Sequence, residues 1–549
     1  MERARVLTRL LPSLLQMLPI FLYAETHYRF RYFFSLLRKH EPEIIADAPH
    51  RIDPNQPLPI LVLVKDAHQF PLKLNKVRIV IQKDGKLLIE KELLNSPIEL
   101  AEKLLWRIYE VPLSGISGNI ECDIIFEIND GKRKLSYHND NHRTSSHQPL
   151  KIFVAPSPLP RFEHLHFGEC HSHSSYTDDQ VEFGAPLEPS IQLSKAIGLS
   201  FFCVTDHSYD LDDSIDDYLA NDPNLPKWGL LQQEINDQNS NHQDFVIVRG
   251  EEVTCRNSKD QNIHLLLLGN RKFFPGSGDG AERWLKTHSE SSINEILNSI
   301  EPSVLSFAAH PKERVSFLQR LLLRRGKWLQ QDFIHPQLSG IQFINGHVSV
   351  GFWKGYHQWV EALLEGKQIF VLAGDDAHGN FNRFRQIGIP FLKIRETGHQ
   401  LFGKMRTGVY LETLSEENIL RALQSGKTIV TDGPVVNLFI DYPTQKISSI
   451  GETIIGNEHS VSLHISSSSE YGSIDSIKVF IGNIGAKETV IISEKLCQEY
   501  TANRTFPLEI LCKSYIRVEV WTSLSDSNDA QPHFCLTNPI WFTPAFHVR

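Results

Sequence analysis

The sequence predicts an α/β protein, a β/α barrel flanked by two β-sandwich domains. Three observations lead there. Strand-like runs with Asp-Gly turns and few helical stretches fill residues 56–155. From 161 to about 400, apolar runs of strand length alternate with segments of helical period, as in a β/α barrel. After Gly433-Pro434 the strand pattern returns and continues to the C-terminus. The expected organisation is a helical extension and linker (1–55), a sandwich (56–160), the barrel (161–400), a connecting helix and turn (401–434) and a second sandwich (435–549).

The N-terminal segment carries Arg3, Arg5, Arg9, Arg29, Arg31, Arg38 and Lys39 around an apolar run, 10–24, interrupted by Pro12, Ser13, Gln16 and Pro19. That run falls short of the ~20 apolar residues a spanning helix needs. The expectation is a helical extension packed on the body of a cytoplasmic protein. The alternative is export, with 1–24 as a signal peptide, because basic residues precede the apolar stretch; no clean small-x-small cleavage site follows it. The basic face would allow a weak contact with a membrane surface.

Pro42, Pro49, Pro54, Pro57 and Pro59 mark the linker. In the first sandwich, 77–81 and 87–90 flank Asp84-Gly85, and 122–128 and 134–137 flank Asp130-Gly131, two hairpin signals. In the barrel, Ile293, Ile296, Leu297 and Ile300 share one face behind a Ser292-x-x-Glu295 capping box. Trp353, Tyr356, Val360, Leu363 and Leu364 form another stripe, ended by Gly366. Ser415 can cap the connecting helix and Gly426 can end it. Runs 436–442, 461–466, 476–481 and 515–522 supply the second sandwich.

Composition narrows the function. The chain has 549 residues, 41% hydrophobic and 22% charged, which is a globular balance. Lys plus Arg is 56 against 65 Asp plus Glu, a net charge of −9, so no nucleic-acid partner is expected. Seven scattered Cys with no CxxC exclude a disulfide-dense scaffold and a thiolate zinc finger. The unusual count is His, at 25.

Their positions matter most. A barrel builds its site at the C-terminal ends of its strands. There the sequence places His171-Ser-His173, Asp206-His207, Glu251-Glu252, His310-Pro311 and Asp375-Asp376-Ala-His378, with His264 on one more apolar run. Imidazole and carboxylate without thiolate suit Zn, Mn or Fe. An HxH pair points two imidazoles to one side of an extended chain. The candidate ligands exceed what one tetrahedral ion can use, so two or three divalent ions are expected. Such ions can ionise a bridging water and clamp the oxygens of a displacement.

The ordered motifs His171-Ser-His173-Ser-Ser-Tyr-Thr177-Asp178, Val204-Thr-Asp-His207, Gly250-Glu-Glu252, His264, Ala309-His310-Pro311 and Gly374-Asp-Asp376-Ala-His378 resemble those of the polymerase and histidinol phosphatase (PHP) superfamily. The resemblance spans about 163–380. With the domain order and Ser425-Gly-Lys-Thr-Ile-Val-Thr-Asp-Gly-Pro434, it extends to the carbaryl-hydrolase-like branch. It implies a distorted seven-stranded (β/α)7 barrel. It implies a first metal among His171, His173, Glu252 and Asp376, a second on Glu252, His264 and His310, and a third on Asp178, His207 and His378. Thr177 stands where Ser is more usual and Asp179 where Gly is common, so Asp178 and Asp179 compete for one ligand role. The implied activity is a metal-dependent hydrolase acting on a small molecule with a metal-bridging hydroxide. Phosphoester hydrolysis leads, and carbamate, ester or amide hydrolysis is the alternative. A non-catalytic, metal-stabilised binding protein is the reading from another class.

Around these ligands, Asp206 is expected to stand behind them and orient an imidazole. Arg383 and Arg385 are expected to bind substrate, since guanidinium suits phosphate and carboxylate. His164 and His166 are expected to be structural, and the acidic run 210–217 to be a solvated helix start.

Overall fold

The computed structural model describes residues 41–129, 131, 133–142, 147–177, 184–217, 220–278, 280, 287–383, 399–441, 448–524 and 531–545. The expected helical extension, 1–40, lies outside them. Among the described residues no helix is long and apolar enough to cross a membrane.

Two sheets form the first β unit. Glu43–Asp47, Leu58–Lys65 and Leu104–Val111 make one, and a seven-stranded sheet built around Leu72–Lys83 and Gly118–Asn129 makes the other. Alternation sets the packing: Ile120, Cys122, Ile124, Phe126 and Ile128 all point inward. Asp84 and Gly85 both take positive φ, 50° and 73°, which a two-residue turn of this hand requires. The unit begins earlier than the sequence suggests. Glu43–Asp47 pairs antiparallel with Leu58–Lys65 inside what reads as a proline-marked linker.

The central unit corrects the barrel expectation. It is one curled, mixed sheet and not a (β/α)7 barrel. Its strands run in the order Phe370–Gly374, Gly340–Asn345, Leu305–Ala309, Asn262–Leu268, Val246–Arg256, Phe201–Val204, Leu165–Ser172 and Arg406–Tyr410. Asn262–Leu268 is antiparallel to both neighbours. The reason is the short connection 257–261, which admits a hairpin but not the dozen or more residues of a helical crossover. The curl brings the end of Phe370–Gly374 back beside Leu165–Ser172, where Ser172 and Ala377 form a parallel bridge.

The same sheet continues past residue 400. Arg406–Tyr410 pairs with Leu165–Ser172, Thr428–Thr431 pairs with Arg406–Tyr410, and Phe534–Thr537 carries the sheet into the C-terminal strands. Val435–Ile440, Glu458–Ser466 and Thr501–Glu509 form a separate three-stranded sheet. The helices follow their caps. Ser292 accepts from the Glu295 amide while Glu295 accepts from the Ser292 amide, and Ser415 caps Glu416–Ser425, which Gly426 closes at φ 70°.

Asp47 joins the first unit to the central one. Its carboxylate accepts the amides of Ala48 and Phe381, each at 2.8 Å. Burial pushes its carboxyl up to about 7, against the opposing pull of those amides and Arg383. A raised carboxyl binds its proton more tightly in the folded state. Its contribution is therefore full below the unfolded value of 3.8 and is lost as pH rises to about 7. Wild-type stability to urea, relative to Asp47→Asn, is expected to fall over that window and level off above it. A difference that stays flat from pH 4 to 8 would contradict this assignment.

Candidate metal centre

Backbone pairing sets the site before any side chain is considered. His171 and His173 leave the end of Leu165–Ser172 on one side, separated by the two-residue repeat of extended chain. The His173 amide donates to the Ala377 carbonyl at 2.8 Å and the Ala377 amide to the His171 carbonyl at 3.3 Å, tying the Asp376–His378 turn to the HxH pair. His207 and Glu252 form a parallel bridge. Thr254 faces His264 across the antiparallel hairpin, so Glu252, two residues back on the same face, meets His264 diagonally. Two of these positions are strained: His310 has φ 29° and Asp376 has φ 54°.

Glu252 lies at the centre. Its carboxylate is 3.4 Å from His171 Nε2, 3.6 Å from His173 Nε2, 3.0 Å from His207 Nδ1, 2.5 Å from His264 Nδ1 and 3.2 Å from His310 Nε2. Asp376 Oδ1 lies 3.1 Å from His173 Nε2 and 3.4 Å from His171 Nε2. The His173 and His378 rings stack at 4.1 Å. Three donor groups emerge, each with its atoms within 4.8 Å of one another: His171, His173, Glu252 and Asp376; His207, Glu252 and His264; and His173, His207 and His378. His310 reaches Glu252 but belongs to none of them. Asp178 and Asp179 lie outside the described residues.

The electrostatics suit cations. Burial alone would raise Glu252 and Asp376, but the surrounding imidazoles hold both carboxyls well below their usual range. Burial also lowers His173, and His378 and His207 push it further down, leaving a neutral imidazole with a lone pair to give. Among the described residues, His171 Nε2 and His173 Nδ1 are buried and find no hydrogen-bond partner. Burial lowers His310 as well, while Glu252 and Asp376 raise His171 against the pull of burial, so imidazole nitrogens and ionised carboxylates crowd together as the donor set a hard-to-borderline divalent ion requires.

The comparisons with known proteins then bear on family. No protein-family model matches the chain, and no curated protein matches it. Solved structures do match. A glycosyl hydrolase family 2 member from Bacteroides cellulosilyticus is 9% identical with a TM-score of 0.18, over 92% of this chain and 63% of that one. A Bacteroides uniformis beta-glucuronidase is 12% identical with a TM-score of 0.19, over 91% and 61%. A Salmonella alpha-2-macroglobulin also appears, at 7% and 0.16, over 92% and 31%. The chain thus spans less than two thirds of each of these structures. Scores this low carry neither a fold nor an activity to this chain.

These findings correct the family expectation. Neither a family model nor a curated protein supports the PHP superfamily or its carbaryl-hydrolase-like branch, and the first matching structures are glycoside hydrolases. Phosphoester and carbamate hydrolysis, drawn from that resemblance, are withdrawn with it. Short histidine and aspartate motifs report donor spacing, which unrelated sheet ends can share.

Several neighbouring residues also differ from expectation. Asp206 does not orient an imidazole through a hydrogen bond. It accepts from the Ser174 amide and hydroxyl, both at 2.6 Å, and from the Thr177 hydroxyl at 2.9 Å, fixing the loop after the HxH pair. Arg383 is buried and donates to the Gln148 carbonyl at 2.6 Å, holding the first β unit, so it does not face the cluster as a substrate ligand would. Arg385 lies outside the described residues. In the acidic run, Asp210 and Asp213 are buried, and Asp213 pairs with Lys227 at 3.2 Å. Sequence reasoning missed Gln342, whose carbonyl accepts the His310 amide at 2.9 Å and lies 3.4 Å from His171 Nδ1. A lone Gln in an apolar strand gives no signal. It also missed Tyr209, stacked on His207 at 4.5 Å, and Arg325, whose guanidinium contacts His264.

Proposed function

We propose that this cluster is a polynuclear divalent-metal centre holding two or three ions, and that the chain is a hydrolase using it on a small molecule. The observation that supports it is the overlap of three buried donor groups through Glu252, His173 and His207. Glu252 joins two groups, His173 joins two and His207 joins two, so ions held there would sit close enough to share ligands. Bound ions would supply Lewis-acid polarisation of a substrate oxygen. The chain's own part is to hold Glu252 and Asp376 ionised, keep His173 neutral, and use Gln342 to position the His171 ring and the His310 backbone.

A two-carboxylate glycosidase needs one carboxylic acid that keeps its proton. Glu252 and Asp376 are both driven to the ionised form, so this cluster is not such a pair.

Elemental analysis of the full chain, reconstituted in turn with Zn, Mn and Fe, is expected to give two or three ions per chain. Chelation should lower the thermal midpoint, since an ion at about 100 times its Kd adds about 2.7 kcal/mol. A content below one ion per chain with every metal, and a midpoint indifferent to chelator, would overturn the reading. A 4-nitrophenyl β-glucuronide and simple aryl esters, assayed with and without chelator, then address bond class.

A further inference from the structure

Basic residues share a cavity with the imidazole cluster. A cavity of about 360 Å³ opens over the site, within the range of small-ligand pockets. His207, His264 and His310 line it together with Arg314, Arg325 and Lys327. We infer that this cavity takes its substrate by an anionic oxygen group, a carboxylate or a phosphate, gripped by Arg314, Arg325 and Lys327. This rests on the metal-centre reading for what happens to the rest of the molecule, and on the cavity alone for the grip.

Sequence and structure both lead to it. Lys312, Arg314, Arg320, Arg324, Arg325 and Lys327 fall within one short stretch that holds a single acid, Glu313, in a chain of net charge −9. Glu313 also lines the cavity, but its carboxylate already accepts the Ser349 hydroxyl at 3.2 Å. The cations crowd one another. Partial burial lowers Lys327, and Lys354, Arg320 and Arg314 lower it further against the opposing pull of Glu313. An arriving anion would relieve that repulsion.

The backbone holds the grip in place. The Arg325 amide donates to the Gln319 carbonyl at 3.2 Å, and the Gly326 amide donates to the Asn262 carbonyl at 2.8 Å. Arg325 thereby stands beside the imidazoles, with Nη2 3.0 Å from His264 Nδ1. Guanidinium presents a planar fork that fits either oxyanion. A molecule anchored there would lay its remaining atoms toward His264 and His310. The charge of the substrate would set affinity, and the bond near the imidazoles would set chemistry.

The test uses the full chain stripped of metal by chelator and dialysed, so that no ion can bind the probe. Benzene-1,3,5-tricarboxylate, tripolyphosphate and the uncharged trimethyl ester of the first are titrated calorimetrically. One anion at least is expected to bind saturably at one site per chain, weakening as salt rises, while the ester does not bind. The tighter of the two anions identifies carboxylate or phosphate as the natural handle. Arg314→Ala combined with Lys327→Ala should weaken that binding at least tenfold. Lys195→Ala, a surface lysine paired with Asp244, should leave it unchanged. Circular dichroism checks that each variant is folded. Equal affinity in the double variant, non-saturable binding, or no binding of either anion would overturn the inference. Because metal is absent throughout, none of these results depends on whether the cluster holds ions.

Discussion

Glu252→Gln is expected to strip the cluster of at least one ion per chain while leaving the fold in place. The substitution keeps size and hydrogen-bonding capacity and removes the one charge that five imidazoles surround. Partners standing behind metal ligands typically cost 10–100-fold in affinity when replaced, so loss of a shared ligand should cost more than about that. Folding should suffer little, because the sheet core around it is apolar: Leu265, Leu266, Leu267 and Leu268 are all fully buried. The control is the adjacent residue. Glu251 points to the opposite face of the strand and is fully buried, where it accepts the Asn270 side-chain amide at 2.9 Å and the Phe274 amide at 3.1 Å. Burial drives its carboxyl well above the usual carboxylate range, which favours the protonated acid. Gln is close to isosteric with that protonated acid, and Glu251→Gln should retain full metal content. Elemental analysis of both variants, with circular dichroism alongside, decides the matter. Equal metal content in the two would mean that the wrong face of this strand has been assigned to the ions.

The largest effect on stability is expected far from the metals, at Arg517. This side chain is fully buried on Ser514–Ser523. It donates to Glu488 at 2.6 Å and 2.7 Å, to the Tyr356 hydroxyl at 2.5 Å and to Glu519. Its guanidinium also lies 4.2 Å from the Phe480 ring centre and 5.4 Å from that of Trp359. Tyr356 and Trp359 belong to the helix Val350–Leu364, so one cation clamps the C-terminal strands to the central unit. Removing one partner of a buried charge network leaves the others desolvated and unpaired, at a cost of about 3–5 kcal/mol. Arg517→Leu should therefore move the urea midpoint far down at pH 7. Adding Glu519→Leu and Glu488→Leu should recover part of the loss, because no unpaired carboxylate then remains. A loss below about 1 kcal/mol for Arg517→Leu would show that water reaches this network.

Much of the local structure was legible because it depends on local chemistry. Asp84-Gly85 supplies the positive φ values of a tight hairpin, and Ser292 with Glu295 supplies a reciprocal cap. Imidazoles at strand ends were legible for a similar reason, since an apolar run followed by His or Asp marks where a strand meets a polar mouth. Strand direction was not. Val246–Arg256 and Asn262–Leu268 are apolar and almost wholly buried, and such runs read alike whether parallel or antiparallel. Only the length of 257–261 separates a hairpin from a crossover, and the barrel expectation overlooked it. The early strand Glu43–Asp47 was hidden by the prolines around it. Gln342 and Arg325 act through partners more than 30 residues away, at His310 and His264, which a local pattern cannot reveal. Family assignment failed for a different reason: donor spacing is set by the coordination needs of ions and carries little record of descent.

The continuity of the central sheet has a consequence for how the chain is made. The strand bearing His171 takes its outer partner from Arg406–Tyr410, about 245 residues later. That partner is in turn covered by Thr428–Thr431 and then by Phe534–Thr537, about 100 residues further along the chain. At 5–20 residues per second, the open edge of Leu165–Ser172 waits roughly 12–50 s on the ribosome for its neighbour. Throughout that interval it offers unpaired amides and carbonyls beside fully buried residues such as Cys170, an invitation to mispairing between nascent chains. Co-expression of a chaperone that masks strand edges is therefore expected to raise the soluble yield of this chain.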